Sequence, residues 1–123
     1  RATEEVQQMS NQRIKIKTED NRTFIQLSPD KQPVGKSFHG KPFSTISFNL
    51  EEGDQLYLFS DGYPDQFGGP NGKKFMTRNV ADMLRSISHL PMMEQNKVVK
   101  HTIQEWMKNE EQIDDILICG IKF

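Results

Sequence analysis

The sequence is poor in cysteine and has no long apolar run. A disulfide within the chain and a cysteine-rich zinc site are both excluded, because Cys119 is the only cysteine. No apolar stretch approaches the roughly 20 residues that a membrane-spanning helix requires. The sequence therefore predicts a cytoplasmic protein in which this segment does not insert into a membrane.

Charge of one sign is also scarce. Lysine and arginine number 16 and aspartate and glutamate 17, which gives a net charge of -1 at pH 7. A balance of this kind creates no field that would gather nucleic acid or an anionic membrane surface, so neither is predicted as a partner. The 123 residues suffice for one folded domain. Since the chain begins at Arg1 and not at a methionine, we expect a piece of a longer protein or a processed product.

The apolar pattern divides the chain into an arm and a folded part. Residues 1–13 are polar and lack an apolar stripe, which predicts an arm that is a frayed helix, extended or disordered. Residues 14–123 are predicted to fold. Alternation from Ile14 to Leu27 predicts one hairpin, and residues 43–50 with residues 55–60 predict a second. Because residues 55–60 are apolar at successive positions, we expect a central strand with both faces covered.

Two helices and a closing strand complete the pattern. Apolar residues recur at helical spacing from near Thr77 and again from Met92 to Lys108, with Pro91 between the two helices. The glycines in residues 68–72 predict a flexible surface loop, and the apolar residues 116–121 predict a buried strand. The order predicts an α+β fold in which a largely antiparallel sheet carries an adjacent helix pair on one face.

Acidic residues lie next to the two apolar strands. Asp61 directly follows residues 55–60, and Asp114 and Asp115 directly precede residues 116–121. If the strands are antiparallel neighbours, these acids meet at one edge, where their repulsion calls for a hard divalent cation. Alternation prevents Asp114 and Asp115 from both facing Asp61, and the pattern does not choose between them. The ordinary alternative is a turn after one strand and a solvated start to the other.

Three stretches resemble one family of enzymes. Residues 53–69, from Gly53-Asp54 through Ser60-Asp61-Gly62 to Gly68-Gly69, resemble the second acidic motif of the sporulation-stage-II-E (SpoIIE) type phosphatases. These enzymes belong to the protein phosphatase 2C superfamily. Residues 112–118 are similar to the Gln-hydrophobic-Asp-Asp-hydrophobic end of that domain, and residues 30–35 resemble the approach to its penultimate hairpin. The resemblance covers residues 24–123.

The resemblance implies a fold and a chemistry. The chain would be the C-terminal part of an α/β/β/α phosphatase sandwich. Asp61 and Asp114 would be metal ligands and Asp115 would face away, while Asp65 would be a partner of a ligand or only a loop residue. Two Mn²⁺ or Mg²⁺ ions would activate a water that attacks phosphoserine or phosphothreonine on a regulatory protein. Sensor modules would lie upstream in the same parent chain.

One part of the family pattern is missing. The first metal motif, an Asp-Gly-hydrophobic-Gly run, has no counterpart in this sequence. The isolated chain is therefore predicted to be inactive or nearly so, and exposed strand edges would allow it to self-associate. Two other functions stay open: a non-catalytic module that binds proteins or oligomerises, and a single-metal binder without turnover.

Other reactive residue types have ordinary interpretations. We interpret Lys73 and Lys74 as a solvated loop tip, Cys119 as a core residue and Trp106 as a packing residue. The three histidines are widely spaced and carry no acid or cysteine at ligand spacing, so surface or helix-packing roles are predicted for all of them: His39, His89 and His101.

Overall fold

The computed structural model describes residues 14–35 and 42–123. They belong to two compact units, one ending at Leu50 and the other running from Glu51 to Phe123, and each is described by itself. The predicted polar arm, residues 1–13, and His39 lie outside the described residues.

The first unit contains the hairpin predicted at its start. Strands β1 (Ile14–Glu19) and β2 (Arg22–Leu27) pair antiparallel, and Glu19 lies opposite Arg22 at the closed end. The turn residues Asp20 and Asn21 have φ angles of 50° and 60°, a left-handed conformation that short polar side chains tolerate. This prediction is confirmed.

The strand predicted over residues 43–50 is wrong. Residues 42–50 contain neither helix nor strand. The backbone N–H and the hydroxyl of Ser44 donate to the carboxylate of Asp30 at 2.7 Å and 3.0 Å. The physical reason lies in the spacing, because Phe43 and Ile46 are three residues apart and cannot share the face of one regular strand.

The second unit holds most of the regular structure. Strand β3 (Gln55–Phe59) pairs antiparallel with β6 (Ile118–Lys122), from Gln55 opposite Lys122 to Phe59 opposite Ile118. Between them in sequence come, in order, α1 (Gly62–Asp65), β4 (Phe67–Gly68), β5 (Lys73–Lys74), α2 (Thr77–Ile87) and α3 (Met92–Met107). The predicted α+β class, the antiparallel pairing and the adjacent helix pair are confirmed.

The core lies among the helices and the inner face of the β3–β6 sheet. Helix α2 contributes apolar residues at helical spacing and α3 contributes Ile103, while Tyr57 and Ile118 pack against this cluster from the sheet. Pro91 precedes α3 with φ of -56°, the value its ring imposes at a helix start. Within the described ranges, no helix is long and apolar enough to cross a bilayer. Among the described residues, the buried hydrophobic cluster consists of Tyr63, Phe75, Val80, Met83, Leu84, Ile87 and Ile103.

The outer face of the β3–β6 sheet is open. Leu58 is 57 % exposed, and Cys119 lies opposite it in register and is also exposed. Two predictions are therefore wrong: Cys119 is not a core residue, and β3 is not a central strand, since its sheet has two strands among the described residues. The reason is alternation, which turns Tyr57 toward the helices and its neighbour Leu58 away from them.

The predicted flexible loop at residues 68–72 is instead part of the β4–β5 hairpin, packed against α3. A Cβ atom added to Gly68 would lie 2.0 Å from the carbonyl oxygen of Trp106, and one added to Gly69 would lie 2.5 Å from its ring. The N–H of Gly69 donates to the same carbonyl at 2.9 Å. The glycines thus permit a close approach, and the packing role predicted for Trp106 is confirmed.

Candidate functional site

The β3–β6 pairing brings the two acidic segments to one end of the sheet. Beyond the last strand pair, the N–H of Ser60 donates to the carbonyl of Leu117 at 3.0 Å. At the next turn of the chain, a Cβ atom added to Gly62 would lie 2.1 Å from the carbonyl oxygen of Asp115. The predicted adjacency of the Asp61-Gly62 and Asp114-Asp115 segments is confirmed for their backbones, whereas the ligand roles of Asp61 and Asp114 stay predictions.

The Asp61 side is built on the core. Asp61 directly precedes α1, and its carbonyl accepts the N–H of Asp65 at 2.9 Å. The first three residues of α1 are buried. Among them Tyr63 is 1 % exposed, and its hydroxyl donates to the carbonyl of Val99 at 2.8 Å. Burial raises the pKa of the Tyr63 hydroxyl above its ordinary value, because the charged form would lose its solvation. The exposed Asp61 therefore directly precedes a short helix whose buried residues hold it against the core.

The Asp114 side lies in residues 108–117, which connect α3 to β6 without helix or strand. One carboxylate oxygen of Asp114 accepts the N–H of Asp115 at 2.8 Å, and the side-chain amide of Gln112 donates to the Asp114 carbonyl at 2.9 Å. Both aspartates are exposed. The local hydrogen bonds shape a turn that leaves the Asp114 side chain in contact with solvent.

The nearby charged residues pair on the surface. Lys74 lies 3.4 Å from the carboxylate of Asp65, and both side chains are close to half exposed, so the ion pair contributes little to stability. The ammonium of Lys74 also lies 6.0 Å from the centre of the Phe67 ring. His89 and His101 are exposed, as predicted for surface residues.

The carboxylates of Asp61 and Asp114 are suitable ligands for a divalent cation, but two carboxylates are too few to complete its coordination. Carboxylate oxygens are the ligands that Mg²⁺ and Mn²⁺ prefer. In residues 14–35 and 42–123, however, no group of three or more histidine, cysteine, aspartate or glutamate side chains could hold an ion. Asp61 and Asp114 would therefore be part of a larger ligand set.

Two residues at this site escaped the sequence interpretation. The hydroxyl of Ser60 donates to the Asp115 carbonyl at 2.9 Å, and the buried amide of Gln66 donates to the Glu111 carbonyl at 2.9 Å. The position of Ser60 directly before Asp61 is a usable signal. Gln66 offers none, because a glutamine near a turn is ordinarily exposed.

The chain is similar to known phosphatase domains. The family model described as Stage II sporulation protein E (SpoIIE) matches residues 10–123. Among solved structures, the SiaA-PP2C domain of Pseudomonas aeruginosa is 37% identical with a TM-score of 0.63. That match covers 68% of this chain and 34% of the SiaA chain, so the aligned part spans about a third of the SiaA chain. No curated protein matches the chain. With a family match over most of its length and an α+β fold shared with a PP2C domain, the chain belongs to the SpoIIE family of PP2C-type phosphatase domains.

Proposed function

We propose that this chain is the C-terminal part of a metal-dependent serine/threonine protein phosphatase domain in which Asp61 and Asp114 bind Mn²⁺ or Mg²⁺. One observation carries the proposal: the backbones of the two acidic segments meet at one end of the β3–β6 sheet, with Gly62 against the Asp115 carbonyl. Membership of the SpoIIE family supports the phosphatase class.

In this proposal, Asp61 and Asp114 supply anionic oxygens, and the fold of the chain positions them. Two carboxylates held at one edge repel each other, and a cation between them removes that cost. When bound, a pair of such ions supplies the Lewis acidity that activates water for in-line attack on a phosphoserine or phosphothreonine phosphorus. The sequence lacks the Asp-Gly-hydrophobic-Gly motif that supplies a further carboxylate in the family, so the isolated chain should have little or no activity.

The partners follow from the same proposal. In the parent protein, the substrate would be a phosphorylated regulatory protein in the cytoplasm, and sensor modules upstream would control the phosphatase. The near-zero net charge favours recognition of that substrate through local contacts and not through a long-range field.

Calorimetric titration with MnCl₂ tests the metal assignment. We expect measurable binding by the 123-residue chain, and affinity lower by about tenfold or more in Asp61→Asn and in Asp114→Asn. Asp82→Asn is the matched control, because Asp82 is exposed on α2 and pairs with Arg85. Equal binding in all four proteins would remove Asp61 and Asp114 from the ligand set.

Hydrolysis of p-nitrophenyl phosphate with Mn²⁺ tests the enzyme class. A longer form of the protein that includes the upstream half should hydrolyse this substrate, and the same form with Asp61→Asn or Asp114→Asn should not. A longer form that binds Mn²⁺ without turnover would support the single-metal binder instead.

A second candidate function is self-association. The outer face of the β3–β6 sheet exposes Leu58 and Ile121, and Leu117, directly before β6, is exposed as well; packing of this face against a second copy would cover them. Light scattering over a range of concentrations should show oligomers that Leu58→Lys reduces to monomers. Met93→Lys, at an exposed position of α3, is the control. A wild-type chain that stays monomeric at high concentration would contradict this function.

A further inference from the structure

In sequence, Asp114 lies between two residues whose backbone carbonyls accept hydrogen bonds from side chains next to the Asp61 turn. The Glu111 carbonyl is three residues before Asp114, and the Asp115 carbonyl directly follows it. Gln66 donates to the first and Ser60 donates to the second. Ser60 directly precedes Asp61, Asp61 directly precedes α1, and Gln66 directly follows α1.

Ser60 extends the strand pairing past its last regular pair. Its hydroxyl donates to the Asp115 carbonyl at 2.9 Å and accepts the N–H of Leu117 at 3.1 Å. Its own N–H donates to the Leu117 carbonyl at 3.0 Å. One side chain therefore fixes the backbone on the C-terminal side of Asp114.

Gln66 fixes the N-terminal side from inside the core. It is 0 % exposed, and its side-chain amide donates to the Glu111 carbonyl at 2.9 Å. Its backbone carbonyl accepts the N–H of Phe75 at 2.9 Å and the indole N–H of Trp106 at 3.0 Å. The same amide nitrogen also donates to the Phe67 carbonyl at 3.1 Å. Moving Glu111 away would therefore leave one of its two N–H groups buried without an acceptor, which is costly.

Gln66 is buried although one of its polar side-chain atoms makes no hydrogen bond among the described residues. Its side-chain carbonyl oxygen is buried and has no hydrogen-bond partner in the part of the chain that the structure describes. An apolar residue of similar length would avoid this cost. What the glutamine provides and an apolar residue cannot are hydrogen bonds to the Phe67 and Glu111 carbonyls, and only the second of these reaches the Asp114 segment.

We infer that Ser60 and Gln66 are positioning residues that set the place of Asp114 relative to Asp61. The inference rests on the proposed function, since the separation of the two carboxylates matters for a shared cation. Each residue acts through the backbone on one side of Asp114, so loss of either side chain releases one end of the Asp114 turn.

Amide hydrogen exchange without metal tests the positioning directly. The Ser60 amide, which bonds Leu117, reports on the site end of the β3–β6 sheet, and the Gly53 amide, which bonds the Phe123 carbonyl at 2.8 Å, reports on the far end. After correction for intrinsic rates, Ser60→Ala and Gln66→Met should speed exchange at residue 60 about fivefold, the effect of one lost hydrogen bond, with little change at Gly53. Ser60→Thr retains the hydroxyl and should restore protection.

The controls are Ser86→Ala on α2 and Gln104→Met on α3, both at exposed positions, and neither should change exchange at residue 60. Unchanged exchange in the Ser60 and Gln66 variants, or an equal increase at both ends of the sheet, would overturn the inference. If Gln66→Met does not fold, the Ser60→Ala and Ser60→Thr pair decides the matter.

Mn²⁺ affinity separates this inference from the proposed function. Ser60→Ala and Gln66→Met should weaken Mn²⁺ binding about fivefold, and Ser60→Thr should restore it. A wild-type chain that binds no Mn²⁺ contradicts the proposed function, while the exchange pattern still decides the positioning role. Mn²⁺ binding that is unchanged in both variants would overturn the positioning role alone.

Discussion

Asp61 lies directly before a helical turn whose first three residues are buried, whereas Asp114 lies within residues 108–117, a connection without helix or strand. The first carboxylate takes its position from hydrophobic burial beneath it. The second takes its position from hydrogen bonds to Ser60 and Gln66 and from close contact at Gly62. A candidate metal centre of this kind has one side fixed by the core and one side fixed by a few polar contacts.

The difference implies unequal sensitivity to mutation. Changes beneath Asp61 should alter the stability of the whole second unit, because they disturb its core. Changes around Asp114 should alter the geometry of the site with a smaller effect on global unfolding.

The largest effect is expected where the two sides touch. In Gly62→Ala the new Cβ would lie 2.1 Å from a backbone oxygen of Asp115, a contact that real Cβ atoms essentially never make. We expect the free energy of unfolding to fall by about 3 kcal/mol, as for overpacking against a backbone that must shift. The urea unfolding curve measures this loss.

Gly72→Ala is the control for Gly62→Ala. Its Cβ would meet nothing closer than 4.0 Å, so the cost comes from its φ of 57° and should be about 1 kcal/mol. Equal losses in the two variants would show that the Gly62–Asp115 contact does not hold the two sides together.

A smaller effect tests how firmly the Asp61 side is fixed. Burial raises the pKa of Tyr63, so above about pH 10 the unfolded chain loses this proton while the folded chain keeps it. The stability contributed by Tyr63 is thus complete below that pH and is lost as the pH rises. From this residue alone, the free energy of unfolding should fall by up to about 1.4 kcal/mol per pH unit.

Urea unfolding at pH 8 and at pH 10.5 to 11 measures the alkaline slope, with Tyr63→Phe as the reference. The variant should lose about 1 kcal/mol at pH 8, because the Val99 carbonyl loses its donor, and it should show a shallower alkaline slope. Identical slopes in the two proteins would contradict the burial of a neutral Tyr63 beneath Asp61.

The smallest effect sharpens the contrast between core and surface. Asp65→Asn removes the ion pair with Lys74 on the Asp61 side. Because both side chains are about half exposed, we expect the free energy of unfolding to fall by less than about 0.5 kcal/mol. Thermal unfolding beside Asp82→Asn, whose carboxylate is exposed to a similar degree and pairs with Arg85, should give losses of similar size. A loss of 2 kcal/mol or more in Asp65→Asn alone, on the scale of a buried contact, would mean that surface charge helps to fix this side.

The parts of the fold that the sequence predicts are those with a pattern along a whole element. Helices α2 and α3 repeat apolar residues every three or four positions, and the hairpin β1–β2 alternates around a clear turn. The meeting of the acidic segments was predictable for a related reason. Each segment adjoins an apolar strand, so an antiparallel pairing necessarily places them at one end.

The errors arise where contacts between distant residues decide the structure. Gly68 and Gly69 have a loop composition, yet Trp106 packs on them from far along the chain and holds a hairpin. Cys119 lies in a run that is apolar at successive positions, which does not reveal which face is covered. The position of Gln66 was unpredictable for the same reason, because its hydrogen-bond partner lies in another segment.

A cation held between Asp61 and Asp114 is the central feature of the proposed site, and line broadening of amide NMR signals by Mn²⁺ tests it most directly. At low Mn²⁺, the signals of Gly62 and Asp115 should broaden first, while Gly53 and Phe123, roughly 20 Å away along the strands, should stay sharp. Asp61→Asn should raise the Mn²⁺ concentration that gives the same broadening by about tenfold or more. Broadening that is uniform over the chain, or strongest at the Gly53 end, would contradict the proposed site.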